Sequence, residues 1–190
     1  PTSWDDLLNP AFEDNVSLAF PYTSGTAYTT WATRIQQLGL EDALDWWEEF
    51  DQESIHHYTK SGTGSIPQVG LGEVAVGIAF SHDILAKGVN QGYPVKMTFP
   101  QEGTGYEVGG LSMIKGAPQP ELAKQFIDWC FSVQAQNLFQ EYNRLPVNPD
   151  ADVAEGSVTL DQVNLIDYDH VWAGERKDEF VEAWRDRIGK

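Results

Sequence analysis

The residues best suited to chemistry in this sequence are Ser24, Gly25, Thr26 and Ala27, which follow the apolar run Val16–Phe20 and the turn Pro21-Tyr22-Thr23. A small-residue turn of this kind opens a helix. The first backbone N–H groups of a helix have no acceptor inside it, and its dipole places roughly half a positive charge there. An anion bound at such a place needs no basic side chain: Gly25 permits close backbone approach, and Ser24 and Thr26 supply hydroxyls. The dipole contributes about 0.3–1 kcal/mol, and up to ~2 kcal/mol where partly buried, before charge-assisted hydrogen bonds are counted. Ser and Thr are also the commonest ordinary N-caps, so the residue types fit both a site and a plain helix start.

Two further polar tips repeat the arrangement. Ser61-Gly62-Thr63-Gly64-Ser65 offers hydroxyls and flexible backbone, although a flexible surface loop has the same composition. Ser81-His82-Asp83 follows the apolar run Val74–Phe80. His82 and Asp83 supply a donor and an acceptor for a hydroxylated or amine-bearing group; alternatively Asp83 caps a helix starting at Ile84 and His82 is exposed. Three polar tips behind apolar segments predict one converging ligand site. Glu102, in Gln101-Glu102-Gly103-Thr104-Gly105, is expected to present a carboxylate at the rim of that cleft, with Tyr106 and Glu107 left outside it.

Other constellations carry less. His56 and His57 imitate a metal cluster with Asp51 and Glu53, but neighbouring strand residues point to opposite faces and cannot share one ion. A hydrolase triad from Ser24 or Ser81 with His82 and Asp83 is disfavoured, because neighbours on one tip rarely reach the relay geometry. There is no nucleophile elbow, zinc-protease motif, phosphate loop or cysteine pair. The reading is therefore a binding protein and not an enzyme, with no cofactor and no metal.

The 190 residues include 29 acidic and 12 basic side chains, for a net charge of −17. Such a field disfavours nucleic acid and anionic membranes as partners, and otherwise serves solubility. The single cysteine, Cys130, excludes an internal disulfide and reads as a buried thiol between Trp129 and Phe131. No stretch reaches the run of about eighteen apolar residues that a membrane span requires.

The elements that must position these tips follow from periodicity. Ser3 caps a short helix over Trp4–Leu8, Val16–Phe20 is a strand, and Ala27–Leu38 is a helix stopped by Gly39. Leu40, Ala43, Leu44, Trp47 and Phe50 predict an amphipathic helix, with Glu41, Asp42, Asp45, Glu48 and Glu49 on a solvated face. A short strand near Ile55–Tyr58, a short helix over Ser65–Leu71 and a strand over Val74–Phe80 covered on both faces follow. Val95–Phe99 and Val108–Ile114 predict two more strands. From Pro118 a long helical region has one face of Leu122, Ala123, Phe126, Ile127, Cys130 and Phe131, continued by Ala135, Leu138, Phe139 and Tyr142. Asn143–Pro149 is an extended turn, and Phe180, Val181, Trp184 and Ile188 stripe a final helix. Strands alternating with helices mean an α/β fold.

The order of several segments also resembles a family. Pro1-Thr2-Ser3-Trp4-Asp5-Asp6-Leu7, Ser24-Gly25-Thr26-Ala27-Tyr28, Gly72-Glu73-Val74-Ala75-Val76-Gly77, Ala123–Trp129, Gln134-Ala135-Gln136 and Asn143-Arg144-Leu145-Pro146-Val147 are similar to the later part of periplasmic solute-binding proteins of ABC importers. The ferric-ion and organophosphate-binding subgroup is the most similar. The resemblance implies a type II periplasmic-binding-protein fold, mainly one lobe with a mixed sheet flanked by helices plus crossover and C-terminal helices, with the opening lobe, and any export signal, missing upstream of Pro1. Residues of about 10–100 would form the lobe core, and about 105–190 a return strand and C-terminal helical segment. It implies a periplasmic location, an ABC permease as partner and a small anionic solute as ligand, held at Ser24, Gly25, Thr26, Ala27, Ser61 and Gly62.

In that resemblance Ser61, twenty residues before Ser81, completes the anion site, and Glu102 occupies a ligand-touching position. Ferric-binding relatives carry a tyrosine pair where this sequence has Ser81 and His82. Sugar-phosphate-binding relatives carry His-Asp there. The expected ligand is thus an organic phosphate or phosphonate such as a sugar phosphate, with ferric iron as the alternative and a small ester hydrolase as the third possibility.

Overall fold

Three parallel strands form the sheet of this computed structural model, which describes residues 1–190. The strands are β1 (Val16–Ala19), β2 (Ile55–Thr59) and β3 (Val76–Gly77), in the order β2-β1-β3. β1 pairs with β2 through Leu18 against Tyr58 and Ala19 against Thr59, and with β3 through Ser17 against Gly77. The fold is α/β with helices flanking a small sheet, and both strand pairings are parallel where a mixed sheet was expected. All four residues of β1 are buried, as a central strand covered on both faces requires.

Between β1 and β2 run α1 (Gly25–Leu38) and α2 (Leu40–Glu53), separated by Gly39 at φ +87°, where a side chain would be strained. α3 (Ser65–Gly70) links β2 to β3, and α4 (Ser81–Lys87) follows β3. The chain ends in α5 (Pro120–Cys130), α6 (Val133–Gln136), α7 (His170–Glu175) and α8 (Lys177–Ile188). No helix is long and apolar enough to cross a membrane.

Alternation along β1 sorts the two layers. Val16 and Leu18 enter the aromatic core with α1, α2 and α8, while Ser17 on the other face bonds Gln68 of α3 at 2.6 Å. Five of the seven tryptophans, Trp4, Trp31, Trp46, Trp47 and Trp184, belong to that core. Trp31 Nε1 donates to the Phe180 carbonyl at 2.9 Å and Trp47 Nε1 to the Tyr58 hydroxyl at 3.2 Å. Trp184, equally buried in this core, has no partner for its Nε1. Burial also pushes the Tyr58 hydroxyl far above the ordinary tyrosine range.

Several local readings change in the folded chain. The acids of α2 are not simply a solvated face: Arg187 of α8 pairs with Asp45 and with Glu48 (2.7 Å), and Lys190 pairs with Asp51 at 2.7 Å. These pairs clamp the last helix onto α2. The Val74–Phe80 strand is realised only as Val76–Gly77 and is half-buried, not covered on both faces. Val95–Phe99 and Val108–Ile114 have strand composition but no strand partner. α5 buries none of its residues, with Leu122, Phe126 and Trp129 exposed, although its apolar face predicted a core contact.

At the chain start the expected helix over Trp4–Leu8 is a 3-10 turn over Asp5–Leu8 with Trp4 at its cap position, and Ser3 bonds across its start. Its hydroxyl accepts the Asp6 N–H (2.9 Å), while the Asp6 carboxylate accepts the N–H groups of Thr2 and Ser3 at 2.6 and 3.0 Å. These bonds brace the start of the turn, and the backbone N–H groups of Thr2 and Ser3 hold Asp6 below the usual carboxylate range.

Candidate functional site

Parallel strands send their C-terminal ends to one edge, so the turns after β1, β2 and β3 gather there. Those turns are the three polar tips: Ser24 before α1, Ser61–Gly64 before α3, and Ser81–His82 at the start of α4. Strand order β2-β1-β3 makes the chain leave β1 to one side and return on the other. Open α/β sheets bind ligands in the crevice that this switch of direction creates.

At the first tip Ser24 is extended, with φ −139° and ψ 128°, and its hydroxyl faces the Ala27 N–H at 3.5 Å. Its carbonyl accepts the Tyr28 N–H (2.9 Å). The N–H groups of Gly25 and Thr26 have no acceptor within the chain, whereas Ala27, with its side chain in the core, has the Ser24 hydroxyl. Two bare amides and the hydroxyls of Ser24 and Thr26 therefore share one turn.

The second tip closes directly on the first. A Cβ placed on Gly62 would lie 2.4 Å from Thr26 Oγ1 and 2.6 Å from Ser24 Oγ. Only glycine allows the two turns to meet this closely. Ser61 braces its own loop: its carbonyl accepts from Thr59 Oγ1 at 2.7 Å and its hydroxyl lies 3.3 Å from Thr63 Oγ1.

The third tip differs from its sequence reading in helix phase. α4 begins at Ser81, not at Ile84, so Asp83 lies in the first turn and not at the cap. Asp83 pairs with Lys87 at 3.3 Å and lies 3.4 Å from His82 Nε2. That second approach lacks hydrogen-bond alignment, and His82 Nε2 is buried without a partner. The His82 ring stacks on Phe80 with centroids 5.6 Å apart. Its pKa is depressed first by burial and then by the charge of Arg144, with Lys87 adding to the effect and Asp83 opposing it.

Glu102 is placed elsewhere. Its carboxylate accepts the Trp4 N–H at 3.1 Å, and the glycine turn beside it is stapled to α1. Gln37 Nε2 and Trp4 Nε1 both donate to the Gly103 carbonyl at 3.0 Å, and the Gly105 N–H donates to Thr33 Oγ1 at 3.1 Å. The next acid takes the position by the first tip: Glu107 Oε2 is 3.1 Å from where a Cβ on Gly25 would sit.

A cleft of about 740 Å³ opens at this edge, in the size range of small-ligand sites. Thr26 and His82 line it, together with Glu107 and Arg144. Ser24 and Gly62 abut Thr26, while Ser61, Asp83 and Glu102 do not line the wall. Arg144 and Glu107 were not among the residues expected from sequence. For Arg144 the signal was available: one of only 12 basic residues, set between Asn143 and Pro146 in a turn.

The profile of bacterial extracellular solute-binding proteins matches residues 1–172. An uncharacterized protein of Haemophilus influenzae is 35% identical over 189 residues, which is 97% of this chain and 54% of that protein. The periplasmic binding protein AfuA of Actinobacillus pleuropneumoniae, solved with fructose-6-phosphate bound, superposes with a TM-score of 0.91 at 34% identity. All of this chain and 60% of AfuA are covered. The periplasmic binding protein P5PA gives 0.89 at 35% identity, over 99% of this chain and 60% of its own. A ferric binding protein of Campylobacter jejuni, 18% identical with a TM-score of 0.81 over 98% of this chain and 62% of its own, shares the fold. The chain thus spans between half and two thirds of the length of these relatives.

Proposed function

The chain belongs to the bacterial extracellular solute-binding protein family, and from that premise we propose that it captures a small anionic solute in the periplasm for an ABC permease. The solute is an organic phosphate or phosphonate, with a sugar phosphate as the leading candidate. The observation that carries this reading is the contact of Gly62 with Thr26 beside the bare Gly25 and Thr26 amides. Four donors of that edge, two backbone and two hydroxyl, suit the oxygens of one phosphate. The fructose-6-phosphate held by AfuA supports the same ligand class.

In this reading no bond is made or broken. The N-terminus of α1 holds the anion through Ser24, Gly25 and Thr26, the cap of Ala27 fixing the turn, and Gly62 closes it from the second tip, whose loop Ser61 braces. His82 sorts the organic part from the cleft wall with Asp83 acting from behind it, and Glu107, by its place over Gly25, accepts from a ligand hydroxyl. Glu102 serves the site indirectly by holding Trp4. We further assign residues of about 10–100 to the core of one lobe and about 105–190 to segments that return towards another. The strand-like but unpaired Val108–Ile114 and the exposed face of α5 support that division.

Calorimetric titration with fructose 6-phosphate, fructose and inorganic phosphate tests the reading. The phosphorylated sugar is expected to bind best, and weakly, because the chain spans only between half and two thirds of the length of the relatives it matches. Equal response to fructose, or no response to either phosphate, would reject an anion site.

A further inference from the structure

We infer that Arg144 is a specificity-determining residue of the cleft, supplying the one guanidinium that pairs with the anionic group of the bound solute. The inference rests on the capture reading above and deepens it. In a chain of net charge −17 cations are scarce, and the lining of this cleft carries one acid, Glu107. Arg144 is the only Lys or Arg that lines this cleft, where Thr26 and His82 also face. It has no carboxylate partner, in contrast to Arg176 and Arg187, which pair with acids on the surface.

The turn that presents Arg144 is built from buried amide side chains. Asn143 is buried in the left-handed region at φ +52°, which asparagine tolerates better than most residues. Its Oδ1 accepts from Asn90 Nδ2 at 2.9 Å and its Nδ2 donates to Ser157 Oγ at 3.3 Å. On the far side Gln136, also buried, accepts the Val147 N–H at 2.8 Å and donates to the Cys130 carbonyl at 2.8 Å. Buried polar groups with all these partners fix backbone position, so the guanidinium starts from a held turn although its own side chain is exposed. His82 lines the same cleft, and after burial, the larger cause, the charge of Arg144 depresses the basicity of that imidazole. A neutral imidazole beside a permanent cation leaves Arg144 as the charged partner at neutral pH, and a planar fork of N–H donors matches phosphate oxygens.

The test compares the 190-residue chain with Arg144→Gln and Arg144→Lys by calorimetry against fructose 6-phosphate and inorganic phosphate. A lost charge-assisted contact should weaken R144Q by about tenfold or more, with R144K in between. A second readout needs no ligand: the NMR titration midpoint of His82 should rise in R144Q as the neighbouring charge is removed. Binding by both variants within twofold of the unsubstituted chain overturns the role of Arg144 and leaves the anion site standing. Failure of the unsubstituted chain to bind either phosphate overturns both.

Discussion

Gly62 and Thr26 come from different βα turns, yet a single carbon added to Gly62 would sit 2.4 Å from Thr26 Oγ1. The contact converts two separate polar turns into one surface. It exists because β1 and β2 are parallel neighbours paired up to Ala19 and Thr59, so their following turns leave the sheet side by side.

Gly62→Ala should therefore disturb both stability and binding. The added methyl must displace the side chains of Thr26 and Ser24, and overpacking of this kind costs about 1–3 kcal/mol. Urea unfolding should show that loss, and calorimetry should show weaker uptake of fructose 6-phosphate. Unchanged values in both would mean that the two turns do not touch.

His82 gives a pH dependence with a fixed sign. Its pKa is lower in the folded chain than the ordinary value of 6.5, because burial, Arg144 and Lys87 outweigh the opposing charge of Asp83. As pH falls below 6.5 the unfolded chain takes up the proton first, so this residue makes stability decline from there until the folded imidazole is itself protonated. Above that window it contributes no slope. Urea midpoints measured through the window should fall more steeply for the unsubstituted chain than for His82→Gln, and parallel curves would refute the assignment.

Two core tryptophans should respond differently to the same change. Trp31 and Trp184 are both fully buried, but Trp31 Nε1 donates to the Phe180 carbonyl whereas Trp184 Nε1 has no partner. Trp→Phe at either place removes ring volume. At position 31 it also removes a hydrogen bond worth about 0.5–1.5 kcal/mol net, so Trp31→Phe should be the more destabilising by about that amount in denaturant titrations.

Much of the architecture was legible along the chain. The 3.6-residue spacing of Leu40, Ala43, Leu44, Trp47 and Phe50 marked α2, and Gly39 marked the break before it, because both signals are local. The order of polar tips after apolar runs placed Ser24, Ser61 and Ser81 at the same edge of a parallel sheet. Glu102 was not legible in this way. Its direction is set by Trp4, 98 residues away, and by the staple of Gly103 and Gly105 to α1, and no pattern around residue 102 records those partners.

What the sequence alone determined is the alternation of elements, the chemistry of the tips and the resemblance to solute-binding proteins, since each is carried by residue type and short spacing. Only the tertiary structure decided that Gly62 seals against Thr26, that Glu107 lies over Gly25 where Glu102 was expected at the rim, and that Arg144 enters the cleft near His82. The physical reason is that a loop side chain is aimed by contacts distant in sequence, while a helix or strand is specified by its own period.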